Sequence, residues 1–148
     1  TEVGVNTIIP LLCDRSERRE IKTERLEKIA VAAMKQSLKA TLPEILPMTP
    51  LREVAAMMPD AQRMMAYCDP SIPRVDFAQT YRPGTDTLIL IGPDGDFSPP
   101  EIRLALDSGF RPVTLGNNRL RTETAALYAL SACHILDDAA RNDITITT

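Results

Sequence analysis

The sequence lacks the marks of a membrane or secreted protein. Its longest strongly apolar run is far shorter than the ~20 residues that a membrane-spanning helix requires. No basic segment followed by an apolar stretch opens the chain, so nothing marks it for secretion. The chain begins abruptly at Thr1 without an initiator Met, which suggests that an N-terminal part is missing. We therefore expect a cytoplasmic protein with no membrane segment.

Cysteine and histidine are too sparse and too scattered to indicate a metal site. Cys13, Cys68 and Cys133 lie in three separate segments, and their odd number gives no complete disulfide framework. We predict three buried, reduced thiols, which are typical of the cytosol. The only histidine, His134, lies off the main apolar stripe of its segment and is expected to be a surface or hydrogen-bonded residue. No bound metal is expected.

The overall charge is mildly acidic, but the basic residues are clustered. A formal net charge of −3 does not by itself indicate a nucleic-acid-binding protein. Eight lysines and arginines nevertheless fall between Arg15 and Lys39. A second group surrounds a later loop and consists of Arg103, Arg111, Arg119 and Arg121. A solvated helix face and a phosphate-binding surface explain the first group about equally well.

The length and the alternation of patterns favour one α/β domain. At 148 residues the chain is large enough for a substantial core. Alternating strand and helix signals indicate a mostly parallel sheet with helices on both faces. The predicted strands are Thr7–Cys13, Glu44–Met48, Gln62–Cys68, Leu88–Ile91 and Pro112–Leu115. The predicted helices begin at Thr23, at Leu51, after Ser98, and at Thr122 or Thr124, whereas Asp69–Pro83 is predicted to be an irregular connection.

Two of these helices carry clear local signals. Ser98, followed by two prolines and Glu101, predicts a capping box at a helix start, and Gly109 with Phe110 predicts its end. The helix from Thr23 is expected to extend almost to Pro43. Its apolar residues recur at three- and four-residue intervals, and we expect this face, which includes Ile29, to pack in the core.

Two glycine-bearing loops dominate the second half of the chain. The first, Ile-Gly-Pro-Asp-Gly-Asp-Phe at 91–97, follows four apolar β-formers that predict a strand buried on both faces. The second, at 115–125, follows a shorter strand and leads into the last helix. Such loops at the carboxyl ends of neighbouring strands commonly bind the ligand of an open α/β sheet. These residues alone indicate a small-molecule site made of backbone, and a tight turn also explains the first loop.

The two loops together resemble the bacterial 16S ribosomal RNA (uracil-N3)-methyltransferase family, which belongs to the knotted SPOUT class. The similar segments are Ile-Gly-Pro-Asp-Gly-x-Phe-Ser…Glu-Ile at 91–102 and Leu-Gly-x-x-x-Leu-Arg-Thr-Glu-Thr-Ala at 115–125. Thr1–Val5 and Asp14-Arg15-Ser16 are also similar to family segments, as is Gln36-Ser37…Leu42-Pro43-Glu44. The resemblance therefore covers the whole chain.

The resemblance implies a fold, a cofactor and partners. The fold would carry a deep C-terminal trefoil knot, and S-adenosyl-L-methionine would be the cofactor. The protein would act as a homodimer on 16S rRNA of the small ribosomal subunit, without a metal or a membrane. Residues 1–148 would form the SPOUT-type methyltransferase domain, because the family's N-terminal PUA-like RNA-binding domain is not present in this chain.

The resemblance also implies the residues of the site. The adenosylmethionine pocket would be lined by Leu90, Gly92, Gly95, Leu115, Gly116, Leu120, Arg121, Thr124 and Ala125, and the end of the Gln62–Cys68 strand would add a third wall. Because uracil N3 lies on the Watson–Crick edge, the base must be unpaired or flipped to react. Arg121 is predicted to stabilise charge on the uracil or to contact a phosphate. Glu123 is predicted to accept the N3 proton or to hold Arg121.

One residue departs from the family pattern inside the first loop, and two other functions stay open. Asp96 stands where the family usually has a second glycine, and it places a negative charge beside a cationic cofactor. Asp tolerates left-handed backbone better than most residues.

One alternative function is a related knotted methyltransferase that acts on transfer RNA or another rRNA nucleotide. The other is a non-catalytic dimeric RNA-binding module with a vestigial pocket.

Overall fold

The structure, a computed structural model, describes residues 1–146 and the side chains of residues 1–142. In chain order its strands are β1 (Thr7–Ile8), β2 (Leu11–Leu12), β3 (Glu44–Ile45), β4 (Thr49–Pro50), β5 (Gln62–Ala66), β6 (Val75–Asp76), β7 (Thr87–Ile91) and β8 (Arg111–Thr114). Its helices are α1 (Thr23–Gln36), α2 (Leu51–Ala55), α3 (Phe77–Thr80), α4 (Pro99–Asp107) and α5 (Thr122–Ile146).

The central sheet has four strands in the order β6-β8-β5-β7, and all of its strand pairs are parallel. Ala66 at the end of β5 lies opposite Ile91 of β7 on one side and Val113 of β8 on the other. The carboxyl ends of three strands therefore meet at one edge. Two further parallel pairs, β1 with β3 and β2 with β4, come from the first part of the chain.

Helices cover both faces of the central sheet, as the alternation of side chains along β5 makes clear. Met65 packs in one core cluster with residues of α2 and α4, such as Val54 and Ala105. Met64, its neighbour, points to the opposite face and packs in a second cluster with Phe77 of α3 and Ala129 of α5. Successive strand residues face opposite sides of a sheet, so the two methionines separate the two cores. The predicted α/β architecture is confirmed.

Three predicted features of the sheet are wrong in detail. The strand predicted over Thr7–Cys13 is divided at Pro10, which has no amide to donate; its two halves, β1 and β2, pair with different strands. The connection Asp69–Pro83 is not wholly irregular, because it contains β6 and α3. The strands that precede the two glycine loops, β7 and β8, are not neighbours, since β5 lies between them.

Helix α1 departs most from its prediction. It ends at Gln36 rather than close to Pro43, and Leu38 beyond it has a left-handed φ of 55°. Ala30 is its buried residue, whereas Ile29 is 57% exposed and Leu38 is 93% exposed. Periodicity identified an amphipathic helix correctly, but the assignment of its apolar face to the core of this chain was wrong for Ile29 and Leu38.

Other local predictions are confirmed. The capping box at α4 is present, with the Ser98 amide donating to Glu101 Oε2 over 2.8 Å. Gly109 has a φ of +86° after that helix, and Phe110 is buried. Among the cysteines, Cys13 is buried, Cys133 is half-buried and Cys68 is exposed, so the prediction of three buried thiols is confirmed in full only for Cys13 and was wrong for Cys68. None of the described helices is long and apolar enough to span a membrane.

Candidate functional site

The two glycine loops are joined by a direct hydrogen bond, although the strands that precede them are not adjacent. Thr122, the first residue of α5, donates from its hydroxyl to the Gly92 carbonyl oxygen over 2.8 Å. The same hydroxyl lies 3.4 Å from Asp94 Oδ1. The loop after β8 therefore crosses the end of β5, and the start of α5 contacts the loop after β7. The predicted pair of loops forms one continuous surface.

Asp96 shapes the first loop and ties it to the end of β5. It has a left-handed φ of 60°, which Asp adopts more readily than most residues. Its Oδ1 accepts a hydrogen bond from the Phe97 amide at 2.9 Å, and its Oδ2 accepts one from the Cys68 amide at 3.1 Å. The carboxylate therefore caps two backbone amides of its own site, and the end of β5 lies against the first loop.

Gly92 is closely surrounded by the side chains of its own loop. A Cβ built at this position would lie 3.2 Å from Asp96 Oδ1 and 3.2 Å from the Phe97 ring. Both neighbours are held in place, Asp96 by its two amides and Phe97 by burial in the core. A side chain at Gly92 would therefore disturb the turn, and at this position the loop offers bare backbone to a ligand.

The first loop opens onto a cleft of about 710 Å³. Its apolar lining includes Leu90 of β7, Ile8 of β1 and Leu130 of α5. Side chains of both signs also line it, namely Arg15, Glu17, Arg18, Asp94 and Glu123. A cleft with an apolar interior and a few polar groups is typical of a small-molecule site.

The cleft contains some of the predicted site residues and not others. Leu90, Gly92, Gly95 and Glu123 line it. The remaining predicted residues lie on the second loop and the start of α5, outside this cleft: Leu115, Gly116, Leu120, Arg121, Thr124 and Ala125. The structure thus brings both loops to one edge of the sheet but divides the predicted residues between the cleft and the adjoining surface.

The second loop is exposed around Gly116, and its backbone amides there are not used within the described part of the protein. Gly116 has a φ of +80°, which favours glycine, and the loop from Gly116 to Arg119 is exposed. Within the described residues, the amides of 116–120 donate no hydrogen bond to the protein. Exposed amides of this kind suit the carboxylate and hydroxyl oxygens of a polar ligand. Arg121 and Thr124 are exposed beside them, whereas Ala125 is buried.

Residues 13–22, here called the arginine loop, connect β2 to α1. This loop adds a contact that the residue patterns did not reveal. Arg15 donates from Nη1 to the Gly95 carbonyl oxygen over 2.8 Å and lies 3.4 Å from that of Phe97. The two partners are 80 and 82 positions away in sequence, so no local spacing indicates the pairing. The sole signal was the likeness of Asp14-Arg15-Ser16 to a family segment.

The buried thiol near the site is not a nucleophile. Burial raises the pKa of Cys13 to about 12, and the nearby Glu101 and Asp14 carboxylates act in the same direction. The thiol is therefore neutral at physiological pH, and it is the thiolate that reacts. Among the residues that the structure describes, no cluster of His, Cys, Asp or Glu has the arrangement of a metal site.

Parallel strands that end in joined glycine loops define a ligand-binding domain of the open α/β class. A family model described as an RNA methyltransferase domain matches residues 1–134. The chain therefore belongs to the RNA methyltransferase domain family, and the resemblance read from its two loops is confirmed at that level.

Curated and solved relatives agree with this assignment. The ribosomal RNA small subunit methyltransferase E of Mesomycoplasma hyopneumoniae is 34% identical over 140 residues, which are 89% of this chain and 59% of the relative. A probable rRNA-methyltransferase from Porphyromonas gingivalis is 48% identical with a TM-score of 0.88, over 94% of this chain and 59% of the other.

A third relative was solved with a ligand. The ribosomal RNA small subunit methyltransferase E of Neisseria gonorrhoeae, bound to S-adenosyl methionine, is 31% identical with a TM-score of 0.82. The match covers 91% of this chain and 56% of that protein. The chain thus spans somewhat less than three fifths of the length of these relatives.

Proposed function

We propose that this chain is the catalytic domain of an S-adenosylmethionine-dependent methyltransferase that modifies N3 of a uridine in 16S rRNA. The observation that carries the proposal is the hydrogen bond from Thr122 to Gly92, which joins the two family motifs into one surface. Two of the relatives named above are ribosomal RNA small subunit methyltransferases E, and the third is a probable rRNA-methyltransferase. One of the first two was solved with S-adenosyl methionine. Family membership makes RNA the expected substrate class.

The chemistry of the joined loops suits S-adenosylmethionine. This cofactor is a sulfonium cation that carries an ammonium, a carboxylate, a ribose and a flat base. The amides of the second loop are available to its oxygens, Leu90 offers an apolar wall, and the Asp94 carboxylate favours its positive charge. We assign the pocket to Leu90, Gly92, Gly95, Leu115, Gly116, Leu120, Arg121, Thr124 and Ala125. The bound cofactor would supply the methyl group.

The reaction requires the N3 proton to leave and the nitrogen to approach the methyl group in line with the sulfonium. Orientation and stabilisation of developing charge are the main contributions that side chains can make. Arg121 and Glu123 are exposed beside Thr122, which joins the two loops. We assign to Arg121 either the stabilisation of negative charge on the uracil oxygens or a contact with an RNA phosphate. We assign acceptance of the proton, or orientation of Arg121, to Glu123.

We further propose a homodimer in which apolar residues of the two longest helices meet. Ile29 of α1 is 57% exposed, and on α5 Leu127 is 57% and Ile135 is 66% exposed. Large aliphatic side chains at this exposure on amphipathic helices are typical of a surface that another subunit covers. RNA phosphates are assigned to exposed basic residues of α1, namely Arg25, Lys28 and Lys35. A single domain over residues 1–148 and a knotted C-terminal part remain predictions from the family.

Two experiments test the function. Deletion of the gene should remove one N3-methyluridine from 16S rRNA. Profiling of the modified nucleotides in 16S rRNA detects this loss. Loss of a modification from transfer RNA or from another rRNA nucleotide instead would favour the related-enzyme alternative. Calorimetric titration of the purified chain with S-adenosylmethionine addresses the other alternative, because a non-catalytic RNA-binding module with a vestigial pocket would give no binding.

A further inference from the structure

The segment Cys13–Ser16 is attached to the first glycine loop at several points. Arg15 reaches the carbonyl oxygens of Gly95 and Phe97, and its aliphatic part lies close enough that a Cβ on Gly95 would be 3.4 Å from it. The Asp14 carboxylate accepts a hydrogen bond from the Ser98 hydroxyl. These contacts join two segments that are far apart in sequence and that belong to different sheets.

The buried carboxylate of Glu101 completes this attachment. Its Oε2 accepts from the Ser98 amide over 2.8 Å, as expected of a capping box. Its Oε1 accepts from the Asp14 amide over 2.7 Å, a contact that has no part in capping the helix. Glu101 is 7% exposed, and both of its oxygens are used. One side chain therefore fixes the start of α4 and the start of the arginine loop together.

We propose that Arg15 is a positioning residue for the methyl-donor site, and that it sets the backbone of residues 92–97 through the Gly95 and Phe97 carbonyls. The inference rests on the proposed function, because it concerns the same loop. Residues 92–95 of this loop line the cleft with both backbone and the Asp94 side chain, so the conformation of the loop decides how well the ligand fits. Arg15 acts on that conformation without being assigned a contact to the cofactor.

Three features distinguish this role from a general charge effect. The guanidinium is directed at carbonyl oxygens of the loop rather than at a carboxylate. Its backbone neighbours are fixed by Glu101 and Ser16, since the Cys13 amide donates to the Ser16 hydroxyl over 3.0 Å. Arg19, four positions later in the same loop, is exposed and makes no hydrogen bond to the described residues. Arg19 therefore provides a matched control.

The test compares the affinity of the purified 148-residue chain for S-adenosylmethionine in four variants by calorimetry. We expect Arg15→Ala to bind about tenfold more weakly, because two hydrogen bonds that fix the loop are lost. Arg15→Lys keeps one donor and should recover part of the affinity. Glu101→Gln should also weaken binding, and Arg19→Ala should match the unmodified chain. Amide chemical shifts of Gly92 and Gly95 in the cofactor-free protein should move in Arg15→Ala and not in Arg19→Ala.

The outcomes are distinct. Equal affinity of Arg15→Ala and the unmodified chain would overturn the inference and leave the proposed function standing. An equal loss in Arg19→Ala would also overturn it, because the effect would then follow charge alone. If Arg15→Ala does not fold, the folded Arg15→Lys decides: unchanged affinity and unchanged Gly95 shift contradict the role. Absence of binding by the unmodified chain would refute the proposed function itself.

Discussion

The hydroxyl of Thr122 lies 2.8 Å from the carbonyl oxygen of Gly92, and this hydrogen bond connects two loops that follow non-adjacent strands. Thirty residues of sequence separate the two partners. Because Thr122 also begins α5, the bond fixes the longest helix of the domain against the loop after β7. This side-chain contact thus ties the two family motifs directly to each other.

Loss of this contact should weaken cofactor binding and leave the chain folded. Thr122→Val keeps the shape of the side chain and removes the donor, at a cost of about 1 kcal/mol per lost hydrogen bond. We expect the affinity for S-adenosylmethionine to fall by about fivefold, which corresponds to that energy. Calorimetry measures the affinity, and urea unfolding measures the stability.

Thr122→Ser is the control for that variant, because it retains the hydroxyl. It should bind the cofactor nearly as well as the unmodified chain. If Thr122→Val binds with unchanged affinity, the joined loops are not part of the cofactor site.

The role of Asp96 predicts a graded effect on stability. Asp96→Ala loses both amide contacts and places Ala at a φ of 60°, so we expect a loss of about 2 kcal/mol in the free energy of unfolding. Asp96→Gly removes the contacts but relieves the backbone, and should lose less. Urea unfolding measures the stability of both variants. An Asp96→Ala variant that is more stable than Asp96→Gly would contradict the role assigned to the backbone conformation at Asp96.

The three cysteines should react with a thiol reagent at very different rates. Cys68 is exposed, Cys133 is half-buried and Cys13 is buried. The pKa of Cys13 is raised to about 12, chiefly by burial, so its thiolate is scarce as well as inaccessible. A disulfide reagent in the native state should label Cys68 first and Cys13 only after unfolding. Peptide mapping of the labelled protein checks this order.

The same pKa predicts how stability changes in alkali. The folded-state pKa of Cys13 lies above the ordinary value of 9.0, so the folded protein keeps a proton that the unfolded chain loses. The contribution of the protonated Cys13 thiol to the free energy of unfolding is fully present below pH 9.0 and is lost as pH rises towards about 12. Cys13→Ala should therefore lose stability less steeply above pH 9.0 than the unmodified chain. Parallel slopes in urea unfolding would contradict the assignment.

Arg121→Ala should remove activity and leave the fold intact. The side chain is exposed, and substitutions at such positions usually change the free energy of unfolding by at most about 0.5 kcal/mol. Methyl transfer to 16S rRNA should fall below detection because charge on the uracil, or a phosphate, is left without its partner. Wild-type turnover in this variant would exclude Arg121 from the mechanism. Arg52→Ala, an exposed arginine on α2, is the control.

The sequence predicted the element types well where the signals are local. The capping box at Ser98 and the cap at Gly109 depend on neighbouring residues, and both are present. The order of the strands could not be predicted in this way, because nothing in the pattern of β7 or β8 indicates that β5 lies between them. Likewise, periodicity located the apolar face of α1 but did not reveal that Ile29 is exposed in the single chain.

The site was predicted in a similar way. The motifs identified the loops at Gly92 and Gly116, and the structure places both at the edge formed by three strand ends. What joins them was missed, since the family-like segments that contain Thr122 and Arg15 do not indicate that these side chains bond to the loop after β7. Both make long-range contacts, which depend on the tertiary fold and leave no trace in residue spacing.

The most direct test of the central claim is a calorimetric titration of the purified chain with S-adenosylmethionine, made in parallel on Thr122→Val. The claim that the joined loops form the methyl-donor site predicts saturable one-to-one binding by the unmodified chain and weaker binding by the variant. Absence of binding, or binding of equal strength in both proteins, would contradict it.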